Sequence, residues 1–475
     1  MPLLAQEAPV EVEKADPKAL QWNGGGDFRI RQEIYDRLPG ERGNITRYNS
    51  YFRMRGRLWG EVKNEDFTLF ARVADEFREY MRQPTPRHEY GKTPGELILD
   101  NLYLDLRNTF WDRVDWRIGR QDFIGKTPSY GAGRLIAEGN AMDGSRAFFF
   151  DAVKATIKFD DEKKNTLDVL GIYNSHKTFS LGSASPVGSG DGLPLNCIEP
   201  WSRGLDEWGG ALYFKSKEWS EVPFELYYIY MEKSTYHLMN GTKMQGRYVN
   251  TWGARVMPQI TDTLSAEFEA AVQYGEKDSG AVVGGQLGYA GLTYKMPTES
   301  TFHPYATLAV LYLSGDRNRG TGRMDDKEND RSWDPLWARY TFLENEMYPY
   351  RNVYGVAYWS NLIYPNLKVG TSFEVSENPF KGKHEFFVQG GPMYVATKDV
   401  NAMTGAPLCG GDGQLYGTFL RARYDFPLWT GFFRMNNKDQ GRLQGHVTGE
   451  ILEPGDYCKS SKMGYFIRWE ISVAF

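Results

Sequence analysis

Arg53, Arg55 and Arg57 stand at alternate positions in the stretch YFRMRGRLWGEVKNEDFTLFARVADEFR, with Phe52, Met54, Leu58 and Val62 on the complementary positions. A guanidinium is a planar fork of donors that grips a carboxylate bidentately and stays charged at physiological pH. On an extended chain, forks two residues apart share one face at intervals of roughly 7 Å. That spacing makes a ladder of anion sites, and a soluble sheet rarely carries three same-sign charges in file on its water-facing side. The same alternation sets Arg29 and Arg31 in DFRIRQEIYD, Arg72 beyond the polar turn KNED, Arg421 and Arg423 in FLRARYDF, and Arg468 in YFIRWEISVAF.

Catalytic chemistry has weaker candidates. Glu267 and Glu269 lie two residues apart on one face, a pair that glycoside hydrolysis would use, but they read better as wall residues of the same alternating pattern. GKT occurs at 91–93 and 125–127 without the preceding glycine of a phosphate loop, and no GxSxG, HExxH or CxxC is present. Cys197, Cys409 and Cys458 lack metal-ligand spacing, so neither a metal nor a cofactor is expected. A net charge of −5 predicts no nucleic-acid partner.

The elements that must position these arginines are strands. LSAEFEAAVQY sets Leu264, Ala266, Phe268, Ala270, Val272 and Tyr274 against Glu267, Glu269 and Gln273, the outward-apolar, inward-polar signature of a barrel strand. About eighteen such segments follow one another. Tight turns such as KNED, DDEKKN, ITDT and PTES alternate with long Gly-, Asp-, Asn- and Pro-rich loops at 80–96, 124–144, 175–207, 315–361 and 397–412. Aromatic residues make up 15% of the 475 positions, yet mean hydropathy is −0.55 and no run of 18 apolar residues occurs. Helical membrane spans are thereby excluded, whereas transmembrane barrels combine interfacial aromatics with a polar lumen. The fold expected is all-β: a transmembrane antiparallel β-barrel of about 18 strands, with short periplasmic turns and long extracellular loops, in the outer membrane of a Gram-negative-type bacterium. Residues 1–21 read as a signal-peptide remnant and disordered lead-in, and residues 22–475 as the barrel. The lumen arginines then form a basic seam around the closure, because the last strand returns beside the first. The closing strand, with Ile467, Trp469, Ile471, Val473 and Phe475 on one face, resembles the sorting signal of outer-membrane barrels.

WRIGRQDF, DGSRAFFFDAVKATI, LAVLYLSGDRNRG and EILEPGDY, in that order, together with WSNLIYPNLKVGTSFEV before a fourteenth strand, resemble the outer-membrane alginate exporter family. The resemblance implies a monomeric eighteen-stranded barrel whose narrow, arginine-rich lumen passes a uronate polymer, and a periplasmic export machinery as partner. It also places Arg120 and Arg57 among the basic lumen residues. The chain departs from the family at Asp122, at Asp100 and in HVTGEIL, which carries no arginine. Two channel classes therefore stay open: an exporter of an alginate-like acidic polysaccharide, and a general diffusion porin for small anionic or sugar solutes. Trp59 and Tyr103 on the lumen face are candidates for stacking on sugar rings. Counting strands back from Phe475 puts Cys409 and Cys458 in neighbouring extracellular loops, where a disulfide between them is expected, with Cys197 unpaired.

Overall fold

Period-two alternation along a whole chain is satisfied when every strand turns one face to a shared interior and the other to a different medium. In the computed structural model eighteen antiparallel strands do this by closing on themselves. The structure describes residues 18–39, 45–46, 49–81, 97–122, 149–174, 202–203, 206–238, 243–317, 327–337, 360–398, 411–435, 438–457 and 462–475. The barrel strands are β1 (Gln21–Asp36), β2 (Asn49–Lys63), β3 (Phe67–Tyr80), β4 (Ile98–Asn108), β5 (Val114–Gln121), β6 (Phe150–Lys158), β7 (Asn165–Asn174), β8 (Glu207–Ser216) and β9 (Phe224–Lys233). They continue with β10 (Arg247–Val256), β11 (Leu264–Lys277), β12 (Val282–Lys295), β13 (His303–Leu313), β14 (Leu362–Val375), β15 (Gly382–Tyr394), β16 (Leu415–Met435), β17 (Lys438–Pro454) and β18 (Gly464–Ala474). Each strand pairs with its successor, and β18 pairs with β1, so that Arg31 faces Glu470 and Glu33 faces Arg468 in register.

At one end the connections are tight. Between Lys63 and Phe67 the Asn64 carboxamide oxygen accepts the amides of Asp66 and Phe67, each at 2.9 Å. Beyond β6, Asp160 accepts the amides of Lys164 at 2.8 Å and Asn165 at 2.7 Å, and the Lys164 amide above all holds its carboxyl below the usual range. At the other end the connections are long, except the step from Lys277 to Val282. The sorting of turns and loops read from the sequence therefore holds, with that one exception.

The outward face is apolar. Leu58, Leu69, Phe268, Val272, Leu308 and Val369 are exposed on it, and aromatic clusters rim it at both ends. Near the loops Trp208 meets Tyr230 at 5.8 Å between ring centroids and Tyr228 meets Trp252 at 5.6 Å. Near the turns Phe159 meets Phe214 at 6.1 Å and Phe302 meets Phe373 at 5.2 Å. An apolar band around a closed sheet, bordered by two aromatic girdles, matches a hydrocarbon slab and its two interfaces.

The strand β1 begins before the alternation does. Its first six residues, QWNGGG, have no apolar period, and the glycines answer to packing: a Cβ on Gly25 would lie 2.3 Å from the Phe475 carbonyl oxygen. Gly26 and Phe475 instead exchange two backbone hydrogen bonds of 2.9 Å, which zip the closure.

Part of the connection between β13 and β14 turns back inside the barrel. The Asp330 amide donates to the Val282 carbonyl at 2.8 Å, and the Gly284 amide donates to the Asp330 carbonyl at 2.7 Å. Asp334 is gripped by Gln273 through two bonds, of 2.7 and 2.8 Å, and by Arg247 at 2.5 Å. Trp333 and Trp337 are consequently buried among Val249, Leu287 and Leu311, with Trp337 edge-on to Phe150 at 6.1 Å. The seat needs Gly285, where a Cβ would sit 2.8 Å from the Trp333 Cα.

Candidate functional site

Register decides which arginines meet. Across β18, β1 and β2 the inward rows run Glu470–Arg31–Arg53, Ser472–Arg29–Arg55 and Arg468–Glu33–Tyr51, with Asp27 opposite Arg57. Across β16 and β17, Arg421 stands opposite Glu450 and Arg423 opposite Thr448. The closure thus gathers the sequence-predicted Arg29, Arg31, Arg53, Arg55, Arg57, Arg421, Arg423 and Arg468 onto one continuous wall.

Acidic residues interleave with them. Arg31 binds Glu33 at 2.7 Å and reaches Glu470 at 3.6 Å, while Arg29 reaches Glu470 at 3.7 Å. Arg57 forks onto both Asp27 oxygens at 3.0 and 2.7 Å, and Arg55 approaches the same carboxylate at 3.6 Å. Arg468 binds Glu33 at 3.1 Å, and the Tyr51 hydroxyl donates to Glu33 as well. Arg423 holds Asp425 at 2.7 Å and Arg421 lies 3.7 Å from Glu450. Among the described side chains these eight arginines stand with five carboxylates, Asp27, Glu33, Asp425, Glu450 and Glu470, so that this set holds three more cations than anions. Pairing fixes the forks in place, and the excess sets the sign of the wall's field.

Arg72 also points inward, beside this wall, but it is clamped: Asp100 accepts from its Nε at 2.9 Å and Asp122 from its Nη2 at 2.9 Å. The two acidic residues that depart from the alginate exporter pattern thus neutralise one arginine of the ladder. Arg120 corrects the expectation drawn from that pattern. It pairs in register with Leu102 and Asp151, on the face that carries the exposed Ile118 and Val153, and is therefore outward. Near the loop end it forks onto Asp151 at 2.8 and 3.0 Å and covers Phe149 at 4.0 Å, as an arginine does when its head lies at an interface. One position separates it from Gly119 on the inward face, and a one-residue step exchanges the faces of a strand.

The inward arginine of that strand is Arg117, which sequence reasoning passed over although the same alternation marks it. It binds Asp105 at 2.7 Å and caps Tyr103 at 4.0 Å. Tyr103 stacks on Phe70 at 5.0 Å, and Phe70 on Trp59 at 6.0 Å. Trp59 and Tyr103 are thus joined through Phe70 in a ladder of rings along β2, β3 and β4. Across the barrel, on β8 to β11, Glu225, Glu267 and Glu269 gather around Arg255. Tyr213 donates to Glu225 at 2.6 Å, Tyr227 to Glu269 at 2.9 Å, and Arg255 bridges Glu225 at 3.3 Å and Glu267 at 2.8 Å. Glu267 and Glu269 are committed to these wall contacts, as their alternation implied.

No family model matches the chain, and no curated protein matches it. Solved structures do. The Pseudomonas aeruginosa OpdK barrel with vanillate aligns with 95% of this chain and 98% of its own at 8% identity and a TM-score of 0.51. OccK2 (OpdF) of the same organism, in complex with glucuronate, aligns over 95% and 98% at 8% identity and a TM-score of 0.47. OccAB1 of Acinetobacter baumannii aligns over 96% and 97% at 9% identity and a TM-score of 0.48. The likeness is one of fold, a closed eighteen-stranded antiparallel barrel.

Proposed function

We propose that this chain is an outer-membrane channel of a Gram-negative-type bacterium, through which small anionic solutes, carboxylates and sugar acids, diffuse along the arginine seam. The observation that carries the reading is the wall of eight arginines sharing five carboxylates, fixed by register at the barrel closure. Closely spaced forks let a carboxylate pass from one site to the next, each weak enough to release it. The rings of Trp59, Phe70 and Tyr103 on a neighbouring stretch of wall suit the flat or ring-shaped body of such a solute. Vanillate, named with the OpdK barrel, is a solute of this kind. The channel is expected to work as a monomer embedded in membrane lipid and without a cofactor.

Export of an acidic polysaccharide through a periplasmic assembly is the less supported reading. No comparison supports the alginate exporter family, and Asp100 and Asp122 cancel the charge of Arg72 where a polyanion conduit would keep it.

The test is ion selectivity in a planar bilayer under a KCl gradient. Wild type should favour chloride. Arg53→Gln with Arg55→Gln removes two of the three excess charges and leaves Asp27 paired with Arg57, so the preference should fall towards unity. A reversal potential unmoved by that double change in a correctly folded barrel would refute the seam.

A further inference from the structure

We infer that His446 sets the strength of the seam's anion preference through its protonation, so that selectivity is pH-dependent. The inference rests on the seam being the anion path. His446 lies on β17 inside the basic wall, 5% exposed, opposite Asp425 of β16 and Glu470 of β18. Its Nδ1 is 4.0 Å from a Glu470 oxygen. That same carboxylate reaches Arg29 at 3.7 Å and Arg31 at 3.6 Å. On the β16 side Asp425 is held by Arg423 at 2.7 Å, and Arg468 of β18 is the next inward charge beyond Glu470. Gln444 and Thr448 flank the imidazole along its own strand and carry no charge.

Imidazole is the side chain whose ordinary titration falls between about pH 5 and 8. With His446 neutral, Glu470 serves Arg29 and Arg31. With His446 protonated, one carboxylate is shared among three cations, and the excess on the wall grows from three charges to four. Acidification therefore strengthens attraction for anions, and alkalinisation weakens it. Three other described histidines are placed differently: His384 is on the outer face, bonded to the Tyr424 hydroxyl at 2.9 Å and the Phe380 carbonyl at 2.8 Å, His303 opens β13 at the turn end, and His237 is exposed in a short strand outside the barrel, opposite Arg203 and Lys243.

Reversal potentials measured from pH 8 to pH 5.5 test this. One added unit charge at about 8 Å in aqueous dielectric changes an anion's local concentration by roughly twofold, so the chloride-to-potassium permeability ratio of wild type should rise by about that factor in a single-proton step. His446→Gln should hold the pH 8 ratio throughout. His446→Arg, whose charge is fixed, should show the acidic ratio at every pH and carries the test if the glutamine variant does not fold. A flat wild-type profile in an anion-selective channel, or the same rise in His446→Gln, overturns the role of His446 and leaves the seam standing. A channel without anion preference at pH 8 or pH 5.5 overturns the seam itself.

Discussion

Replacing Gly285 with valine should unseat the segment of the β13–β14 connection that lies inside the barrel. A Cβ at this position would fall 2.8 Å from the Trp333 Cα, 3.0 Å from the Ser332 carbonyl oxygen and 2.6 Å from the Gln273 Oε1. Two of these neighbours are backbone and cannot swing aside as a side-chain tip would. Gln273 is itself the residue that grips Asp334. Overpacking of this kind costs about 1–3 kcal/mol, which shifts the balance between seated and unseated segment by roughly 5 to 150-fold. Valine is at home in a strand, so β12 itself should pair as before. Two readouts follow. Trp333 and Trp337, buried in wild type, should become accessible, with emission moving to longer wavelength and stronger quenching by an aqueous quencher. Single-channel conductance should rise, because the displaced residues leave the lumen. Unchanged emission together with unchanged conductance in a folded Gly285→Val barrel would refute the idea that this glycine exists to seat the segment.

Other expectations test the orientation of the wall and the loops. Leu308→Arg, at the middle of β13 on the apolar face, should destabilise the folded barrel by about 2–4 kcal/mol in a denaturant titration in lipid vesicles, whereas Thr307→Arg, one step away and inward beside Thr293 and Lys368, should cost far less; equal costs would show the faces misassigned. Cys409 and Cys458 lie outside the described residues, but the Gly411 amide donates to the Tyr457 carbonyl at 3.0 Å, joining the two connections beside them. Non-reducing peptide mapping of protein from native membrane should yield a Cys409–Cys458 bridge, and three freely alkylated thiols would exclude it.

The sequence carried the barrel because alternation is a local property: Arg53, Arg55 and Arg57 declare their common face without reference to any other strand. Which acid each arginine meets is not local. Asp27 and Arg57, or Glu33 and Arg468, become partners only through register. Arg120 shows how narrow the margin is, since a family pattern aligned one position away from the strand's own parity moves a charge from lumen to outer surface. By composition the inward segment belongs to the long loop at 315–361. Its signal was present in SWDPLW, where Trp333, Leu336 and Trp337 crowd into a polar stretch, but period-two counting has no term for a loop that buries itself. Residues 1–17, including most of the expected lead-in, lie outside the described residues.

The bond between Arg468 and Glu33 joins residues 435 positions apart, and it has a consequence for how the channel comes into being. Contacts of such separation form late, after the entropy of closing the intervening chain has been overcome. Until β18 docks on β1, Glu470 has neither Arg29 nor Arg31 beside it, and Glu33 lacks Arg468. The part of the arginine wall that spans β18 and β1 is thus absent from every partly assembled sheet and arises in the same event that seals the wall. A barrel still open at its edge lacks these pairs, whereas a sealed one carries them from the moment it exists.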